Sequence, residues 1–198
     1  TLPPAEQAHM QQALIAFVTG KLQRTFWSPQ QDMTARKLSA IAALALDGKA
    51  APALLDSLDI DPVRWPTHSV RDWLTVLEHV QVPGRAQRQQ EAWQILRNRL
   101  AYQGTQVGFS TDAQDHWWWL MQGPDVNAAR LLLATIGQAE WDAERPRLVT
   151  GLLARQKSGA WATTTANLWA GLALRQFSST YERDPVGGDT TAMHLSLN

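Results

Sequence analysis

The segment that decides the fold is Gly159-Ala160-Trp161-Ala162-Thr163-Thr164-Thr165-Ala166-Asn167-Leu168-Trp169. Thr163 precedes an apolar run, and a Ser or Thr in this place commonly caps a helix by accepting a hydrogen bond from a backbone N–H. An aromatic residue before the cap, here Trp161, packs back on the helix like a hydrophobic staple. Asn167 then lies in the first turns of the predicted helix. The segment therefore predicts a helix from Thr163 to about Phe177.

Three earlier segments repeat this pattern of an aromatic residue, a hydroxyl residue one or two positions later, and Asp or Asn five to seven positions after the aromatic. The four aromatics are Trp27, Trp65, Phe109 and Trp161, at intervals of 38, 44 and 52 residues. An apolar helical pattern follows each of them. Each interval leaves room for one further helix and two loops, so the period is a helical hairpin. Stacked helical hairpins build an open solenoid or a closed α/α toroid.

The helices that these segments open are apolar on more than one face, which indicates that other helices surround them. In the last one, Leu168 and Trp169 belong to different apolar stripes. The segment 86–100 instead has a face rich in Arg and Gln, as an outer helix has. We therefore expect an all-α fold over residues 1–183, in which repeated helical hairpins form part of an α/α toroid. Four hairpins leave the usual ring of six incomplete, which points to a fragment of a longer protein.

The rest of the chain reads as further helices, loops and one strand. Helices are expected at 4–19, 32–46, 52–58, 69–80, 86–100, about 112–120, 126–136 with Asp125 as its cap, and 146–153. Loops are expected at 59–66 and 101–111. After the Gly187-Gly188 pair, the partial alternation of 190–197 predicts a strand. Because a lone strand needs a partner, residues 184–198 are expected to be a linker and the first strand of a following β domain.

The composition excludes several classes of protein. The 198 residues carry 18 basic and 18 acidic side chains, and this zero net charge argues against a nucleic-acid-binding domain. The absence of Cys excludes disulfides, Cys-based zinc sites and a thiol nucleophile within the chain. No apolar run is long enough to span a membrane. The start at Thr1 has no signal-peptide pattern, which suggests a processed chain or a fragment. Trp is unusually frequent, with ten residues.

Several short motifs in a fixed order make the chain similar to the bacterial branch of the α2-macroglobulin family. They are Trp65-Pro66-Thr67 with Asp72-Trp73-Leu74, Phe109-Ser110-Thr111 with Asp115 and Trp117–Leu120, Arg147-Leu148-Val149, Leu153-Ala154-Arg155-Gln156, Gly159–Thr164, Ala166–Trp169, Leu172-Ala173-Leu174, Phe177, Tyr181-Glu182, Pro185–Gly188 and Thr190-Thr191. The likeness covers nearly the whole chain and is strongest from 105 to 191.

The resemblance implies the toroidal thioester-type domain of a periplasmic protein that traps proteases or protects the cell envelope. Proteases would be the targets of the parent protein, and neighbouring β domains of the parent would be the partners of this chain. The family's Cys followed by Glu-Gln is absent, so these residues form no thioester. The resemblance therefore implies a non-catalytic domain without cofactor or metal. Its motif-bearing structural residues would be Trp161, Thr163, Thr164, Asn167 and Trp169.

The consecutive residues Trp117, Trp118 and Trp119 form a possible interface. Neighbouring residues of a helix point about 100° apart, so the three rings cannot all enter one core. At least one is expected to face a groove, the adjacent hairpin or a partner, and a neighbouring domain fits an exposed aromatic best.

Two other functions fit the pattern. The acids Asp32, Asp72 and Asp115 would gather at one rim if their helices form an inner ring, and a pair of carboxylates is what an inverting glycoside hydrolase uses. A Trp-rich rim would suit a glycan. The simpler interpretation is that each acid completes the first turn of its helix. A plain helical-repeat scaffold for protein interactions is the third hypothesis.

Overall fold

The chain is mostly helical, as the sequence predicts. The computed structural model describes residues 3–23, 25 and 27–182. Its α-helices are α1 (Pro4–Val18), α2 (Met33–Leu46), α3 (Thr67–His79), α4 (Arg85–Asn98), α5 (Pro124–Thr135), α6 (Arg145–Ala154) and α7 (Thr164–Tyr181). Short 3-10 helices lie at Pro52–Ser57, Trp118–Leu120 and Ala139–Trp141. The strands β1 (Leu100–Gln103) and β2 (Gln106–Phe109) form an antiparallel hairpin between α4 and the Trp118–Leu120 turn.

Four helices pack in series: α2 on α3, α3 on α5, and α5 on α7. We call these four helices the inner layer. The other three, which we call the outer layer, each pack on one of them: α1 on α2, α4 on α3, and α6 on α5. Stacking of the contacting pairs α1–α2, α3–α4 and α5–α6 as hairpins of a toroid stays a prediction.

Burial distinguishes an inner helix from an outer one. In α3 the residues 67–70 and 72–77 are all buried, so nearly every face of this helix meets other parts of the molecule. Its partner α4 buries only Ala92 and Leu96. The Arg- and Gln-rich surface of α4 accounts for this difference, because charged side chains remain in water unless they are paired.

Apolar residues on two faces of the last helix predict that other helices surround it, and in this point the structure differs. α7 buries Ala166, Ala170 and Ala173, while Leu168 is 70% exposed. Because α7 is the last helix of the described ranges, one face packs on α5 and the other lies open there. The three alanines allow the two helix axes to approach closely, since interaxial distance depends on the side chains at the contact.

The segment predicted as a loop at 101–111 contains the β1–β2 hairpin. The register pairs Leu100 with Phe109 and Gln103 with Gln106, so the connection is Gly104-Thr105. Gly104 has φ +59°, a conformation that favours glycine in tight turns. β2 packs on α6 and buries Val107 and Phe109 on one face. The sequence predicts a loop here, because strands of only four residues give a weak alternation of polar and apolar residues.

The helix predicted from about Asp112 to Leu120 is wrong. The segment is a series of turns with the 3-10 helix Trp118–Leu120, and Met121 has φ +55°, which a right-handed helix does not allow. The next helix begins at Pro124, because proline fits the first turn of a helix and disfavours helical conformation in the residue before it. Asp125 consequently lies in the first turn of α5 and is not its cap.

The remaining helix limits agree with the sequence within a few residues, except that α7 extends to Tyr181. The predicted strand at 190–197 and the domain boundary at 183/184 lie outside the described residues. None of the described helices combines the length and the apolar character that crossing a membrane requires.

Candidate functional site

The turn before α7 is held by its own side chains. Thr163 is the N-cap and accepts a hydrogen bond from the Ala166 N–H at 3.1 Å, as predicted. The Asn167 amide donates to the carbonyls of Trp161 and Thr163 at 2.9 and 2.7 Å, and accepts from the Trp161 N–H at 3.2 Å. The Trp161 indole donates to the Leu152 carbonyl of α6 at 2.9 Å. Trp161, Thr163 and Asn167 therefore fix the path of the chain between α6 and α7.

Two other residues of the motif face different surroundings. Thr164 is the first residue of α7 and is exposed. The Trp169 ring is partly buried, and the Arg130 guanidinium of α5 lies 5.3 Å from its centre, which is the geometry of a cation–π contact. The motif is thus distributed between a surface turn and the α5–α7 contact.

The aromatic residues of the four repeated segments do not all act as staples. Trp65 and Phe109 are buried and Trp161 is partly buried. Trp27 is 79% exposed. The staple interpretation therefore does not apply to the first repeat.

Asp32 precedes α2 and is buried. Its carboxylate makes no capping hydrogen bond to the helix, and accepts from the Ser28 hydroxyl at 2.7 Å, the Arg36 guanidinium at 2.8 Å and the Trp119 indole at 2.9 Å. Burial alone raises the pKa of Asp32, but the hydrogen bonds from Ser28, Trp119 and Arg36 outweigh it and lower the pKa below its usual value of 3.8. The carboxylate is therefore held ionised as a contact between α2 and the segment 110–123, which we call the tryptophan-rich loop.

Asp72 lies in the second turn of α3 and joins three inner helices. It accepts from the Ser39 hydroxyl of α2 and from the Arg130 guanidinium of α5, each at 2.5 Å. Both members of the ion pair with Arg130 are largely buried. Asp72 therefore connects helices, which corrects the expectation that it completes a first helical turn.

Asp115 lies in the loop before the Trp118–Leu120 turn and is also buried. It accepts from the Thr67 N–H at the start of α3 at 3.2 Å and from the Thr111 hydroxyl at 2.7 Å. The Arg99 guanidinium reaches the Thr67 hydroxyl at 3.2 Å. Asp115 thus satisfies a backbone donor of a neighbouring helix, a role that only the tertiary structure reveals.

His68 is a buried residue that the sequence did not single out. Its side chain is 1% exposed, and neither ring nitrogen has a hydrogen-bond partner among the described residues. Burial lowers the pKa of His68 from 6.5 to about 4, an effect that the Asp72 carboxylate partly opposes. The ring is therefore neutral at pH 7. No spacing in the sequence marks this residue, because its environment comes from α5 and from the loop 110–123.

The three consecutive tryptophans have different environments. Trp117 lies edge-on against His68, with 5.3 Å between ring centres, and packs on Trp119 at 5.2 Å. Trp119 donates to Asp32. These two rings thus link the surroundings of Asp32 to those of His68, whereas Trp118 is 70% exposed. The rings point in different directions because the backbone turns, and not because of helical geometry.

A groove of about 900 Å³ lies where the tryptophan-rich loop, the end of α6 and the start of α7 meet. On its wall Arg155 binds the Asp112 carboxylate and lies 3.5 Å from the Asp125 carboxylate. Asp125 also accepts from the Ala162 N–H at 3.3 Å. Trp118, Trp161, Thr163 and Thr164 are among the residues that line the groove.

The three buried acids and the groove differ in the chemistry that they can carry out. Asp32, Asp72 and Asp115 are buried and each already accepts at least two hydrogen bonds, so none is placed to exchange protons with a ligand in solution. The groove is open and offers aromatic and polar groups together.

Comparison of the chain with protein-family models, with curated proteins and with solved structures gives no match.

Proposed function

We propose that this chain is a non-catalytic helical domain of a bacterial α2-macroglobulin-like protein, which lies in the periplasm and traps proteases or protects the cell envelope. The resemblance of the ordered motifs from Trp65 to Thr191 is the basis of the family assignment. The contacts between consecutive helices, α1 with α2, α3 with α4 and α5 with α6, support it, since the resemblance implies helical hairpins.

The observation that carries the non-catalytic part is the use of the polar residues. Asp32, Asp72 and Asp115 form bonds between helices and loops, and Asn167 bonds its own turn. Buried groups of this kind fix one arrangement of the helices. Such a body suits a mechanical role, in which neighbouring domains pack on it, better than a chemical role.

The open face of α7 supports the proposal that neighbouring β domains of the parent are the partners. Leu168 lies on this face with most of its side chain in water. A single exposed apolar side chain is common on protein surfaces. Here, however, the exposed residue lies on the last helix of the inner layer, and a neighbouring domain that packs on this helix would cover it.

The test uses the full-length natural protein that contains this chain. It is incubated with trypsin, and the hydrolysis of a small chromogenic peptide is compared with that of casein. A trap excludes large substrates sterically, so casein hydrolysis should fall strongly while peptide hydrolysis continues. An equal loss of both activities would indicate an ordinary active-site inhibitor, and unchanged casein hydrolysis would contradict protease trapping.

The hydrolase hypothesis has no specific support. It needs two accessible carboxylates on either side of a scissile bond. Asp32, Asp72 and Asp115 lack that accessibility.

A further inference from the structure

The groove between α6, α7 and the tryptophan-rich loop has features that the proposed function does not use. Its volume of about 900 Å³ is within the range of ligand sites, roughly 300–1,000 Å³. Its walls come from three separate parts of the chain: the loop and first turn of α5 at 112–126, the end of α6 with the turn after it at 154–162, and the start of α7 at 163–166.

Aromatic and apolar side chains form one part of the wall. Trp118 and Met121 are each 70% exposed. Trp118 packs against Trp119 with 5.8 Å between ring centres and an interplanar angle of 83°, and the Trp161 ring is fixed by its bond to the Leu152 carbonyl. The groove thus presents indole rings whose positions are set before any ligand arrives, which lowers the entropy lost on binding.

The charges on the wall are balanced. Two carboxylates, Asp112 and Asp125, lie there with two cations, Arg155 and Lys157. The other polar residues on the wall are His116, Gln122, Gln156, Thr163, Thr164 and Thr165. Such a wall favours an uncharged ligand with many hydroxyl groups over a phosphate, a carboxylate or a polycation, because it offers neither sign of charge in excess.

A peptide fits this groove less well. One class of extended peptide binds by adding a strand to an open sheet edge. The extended backbone at the groove is already paired with itself, since Lys157 and Ala160 exchange both of their N–H to carbonyl hydrogen bonds. An amphipathic helix would need a continuous apolar surface, whereas this wall mixes indole rings with hydroxyl, amide and charged groups.

We propose that this groove binds a neutral oligosaccharide, with the apolar faces of its sugar rings on Trp118 and Trp161 and its hydroxyls hydrogen-bonded to the polar wall. An indole ring gives apolar area and a defined face at low entropic cost. The two carboxylates share the Arg155 cation, so the groove binds the glycan without hydrolysing it. This inference is independent of protease trapping.

The experiment is isothermal titration of the chain with cellohexaose, maltohexaose and chitohexaose. At least one of these should bind with a Kd of about 1 mM or tighter. Trp118→Ala should weaken that binding about tenfold, because stacking area is lost. Trp27→Ala is the matched control, since Trp27 is an exposed indole that is not part of the groove lining, and its removal should leave the Kd unchanged.

Three results would overturn the proposal. They are the absence of binding for all three sugars at about 10 mM, an equal Kd for Trp118→Ala and the unmodified chain, and release of reducing sugar ends during incubation. A neutral apolar hexapeptide is titrated in parallel, and its binding in place of the sugars would assign the groove to peptides.

Discussion

At the scale of single residues, the most unusual group is the neutral His68 imidazole. Its two nitrogens have no partner in the described structure, although buried polar groups are normally hydrogen-bonded. The groups that act on its charge belong to three parts of the chain: Asp72 of its own helix, Arg130 of α5, and Asp115 of the loop. Protonation would thus place a second cation beside Arg130 in a nearly dry site.

The pKa of His68 predicts how stability depends on pH. The folded pKa of about 4 lies below the ordinary value of 6.5, so between these values the unfolded chain binds more protons than the folded one. The contribution of His68 to the free energy of unfolding is therefore fully present above pH 6.5 and is lost as the pH falls from 6.5 to 4. The lost free energy of unfolding is about 3 kcal/mol, and denaturant titrations at a series of pH values measure it.

The variant His68→Phe isolates this contribution, because it keeps a buried ring without a titratable group. Between pH 6.5 and pH 4 the unmodified protein should lose about 3 kcal/mol more free energy of unfolding than His68→Phe, because only the unmodified protein has this titrating group. The control His116→Phe makes the same substitution at an exposed histidine. Asp32 does not interfere, since its lowered pKa means that its contribution is lost only at still lower pH. Parallel pH profiles for His68→Phe and the unmodified protein would contradict the assignment.

At the scale of elements, the contact between α6 and the hairpin depends on one glycine. A Cβ added at Gly151 would lie 2.2 Å from the Val107 carbonyl oxygen of β2, far inside van der Waals contact. The glycine therefore sets the distance between α6 and the strand. Since the opposing atom belongs to the backbone, the side chains alone cannot relieve such a clash.

We expect Gly151→Ala to lower the free energy of unfolding by about 1–3 kcal/mol, the usual range for overpacking a core. Gly171→Ala is the matched control, since Gly171 lies inside α7 and a Cβ there meets nothing within 4 Å. The control should gain about 1 kcal/mol, because Ala is a better helix former than Gly. Chemical denaturation measures both, and a Gly151→Ala protein as stable as the control would disprove the close approach.

The sequence predicted elements well where local signals agree, and poorly where tertiary contacts decide. Both signals for α7, the Thr163 cap and the apolar periodicity, are local in the sequence, so the sequence predicts this helix. The apolar run Trp117–Leu120 predicts a helix. In the structure its rings have different partners, His68 for Trp117 and Asp32 for Trp119, and the next helix begins only at Pro124. The hairpin was missed because two strands of four residues give a weak alternation signal.

The candidate site shows the same division. Asp32, Asp72 and Asp115 were selected from a repeated spacing, yet the partners of each come from distant parts of the chain. Their role as ties between helices follows from those partners and is not encoded in the spacing. No local pattern predicts the contact between Arg155 and Asp125, and only the meeting of α5 with the end of α6 brings them together.

At the scale of the whole molecule, the inner layer is held by the connection through Asp72. The Ser39 hydroxyl, the Asp72 carboxylate and the Arg130 guanidinium belong to α2, α3 and α5, and the ion pair is largely buried. The Arg130 side chain also reaches the Trp169 ring of α7. One acid thus takes part in contacts that span four inner helices.

We expect Asp72→Leu to destabilise the protein by about 3–5 kcal/mol, because Arg130 would be left as an unpaired buried charge. The double variant Asp72→Leu/Arg130→Leu should be more stable than that single variant, because no buried charge remains unpaired. Asp61→Leu removes an exposed ion pair with Arg64 and should change the stability by no more than about 1 kcal/mol. Thermal denaturation compares the proteins. If Asp72→Leu melts like Asp61→Leu, the connection has no energetic role.

The hydrogen bond from Trp119 to Asp32 has a consequence for folding order. It joins residues 87 positions apart, whereas the helix pairs α1–α2 and α3–α4 are neighbours in the chain. Bringing distant residues together costs more chain entropy than closing a short loop, and contacts of long range form slowly. Hairpins of neighbouring helices can therefore form before the tryptophan-rich loop reaches the start of α2. Completion of this contact encloses residues 32–119 in one closed loop without a covalent bond, as a disulfide would do in a chain that had cysteines.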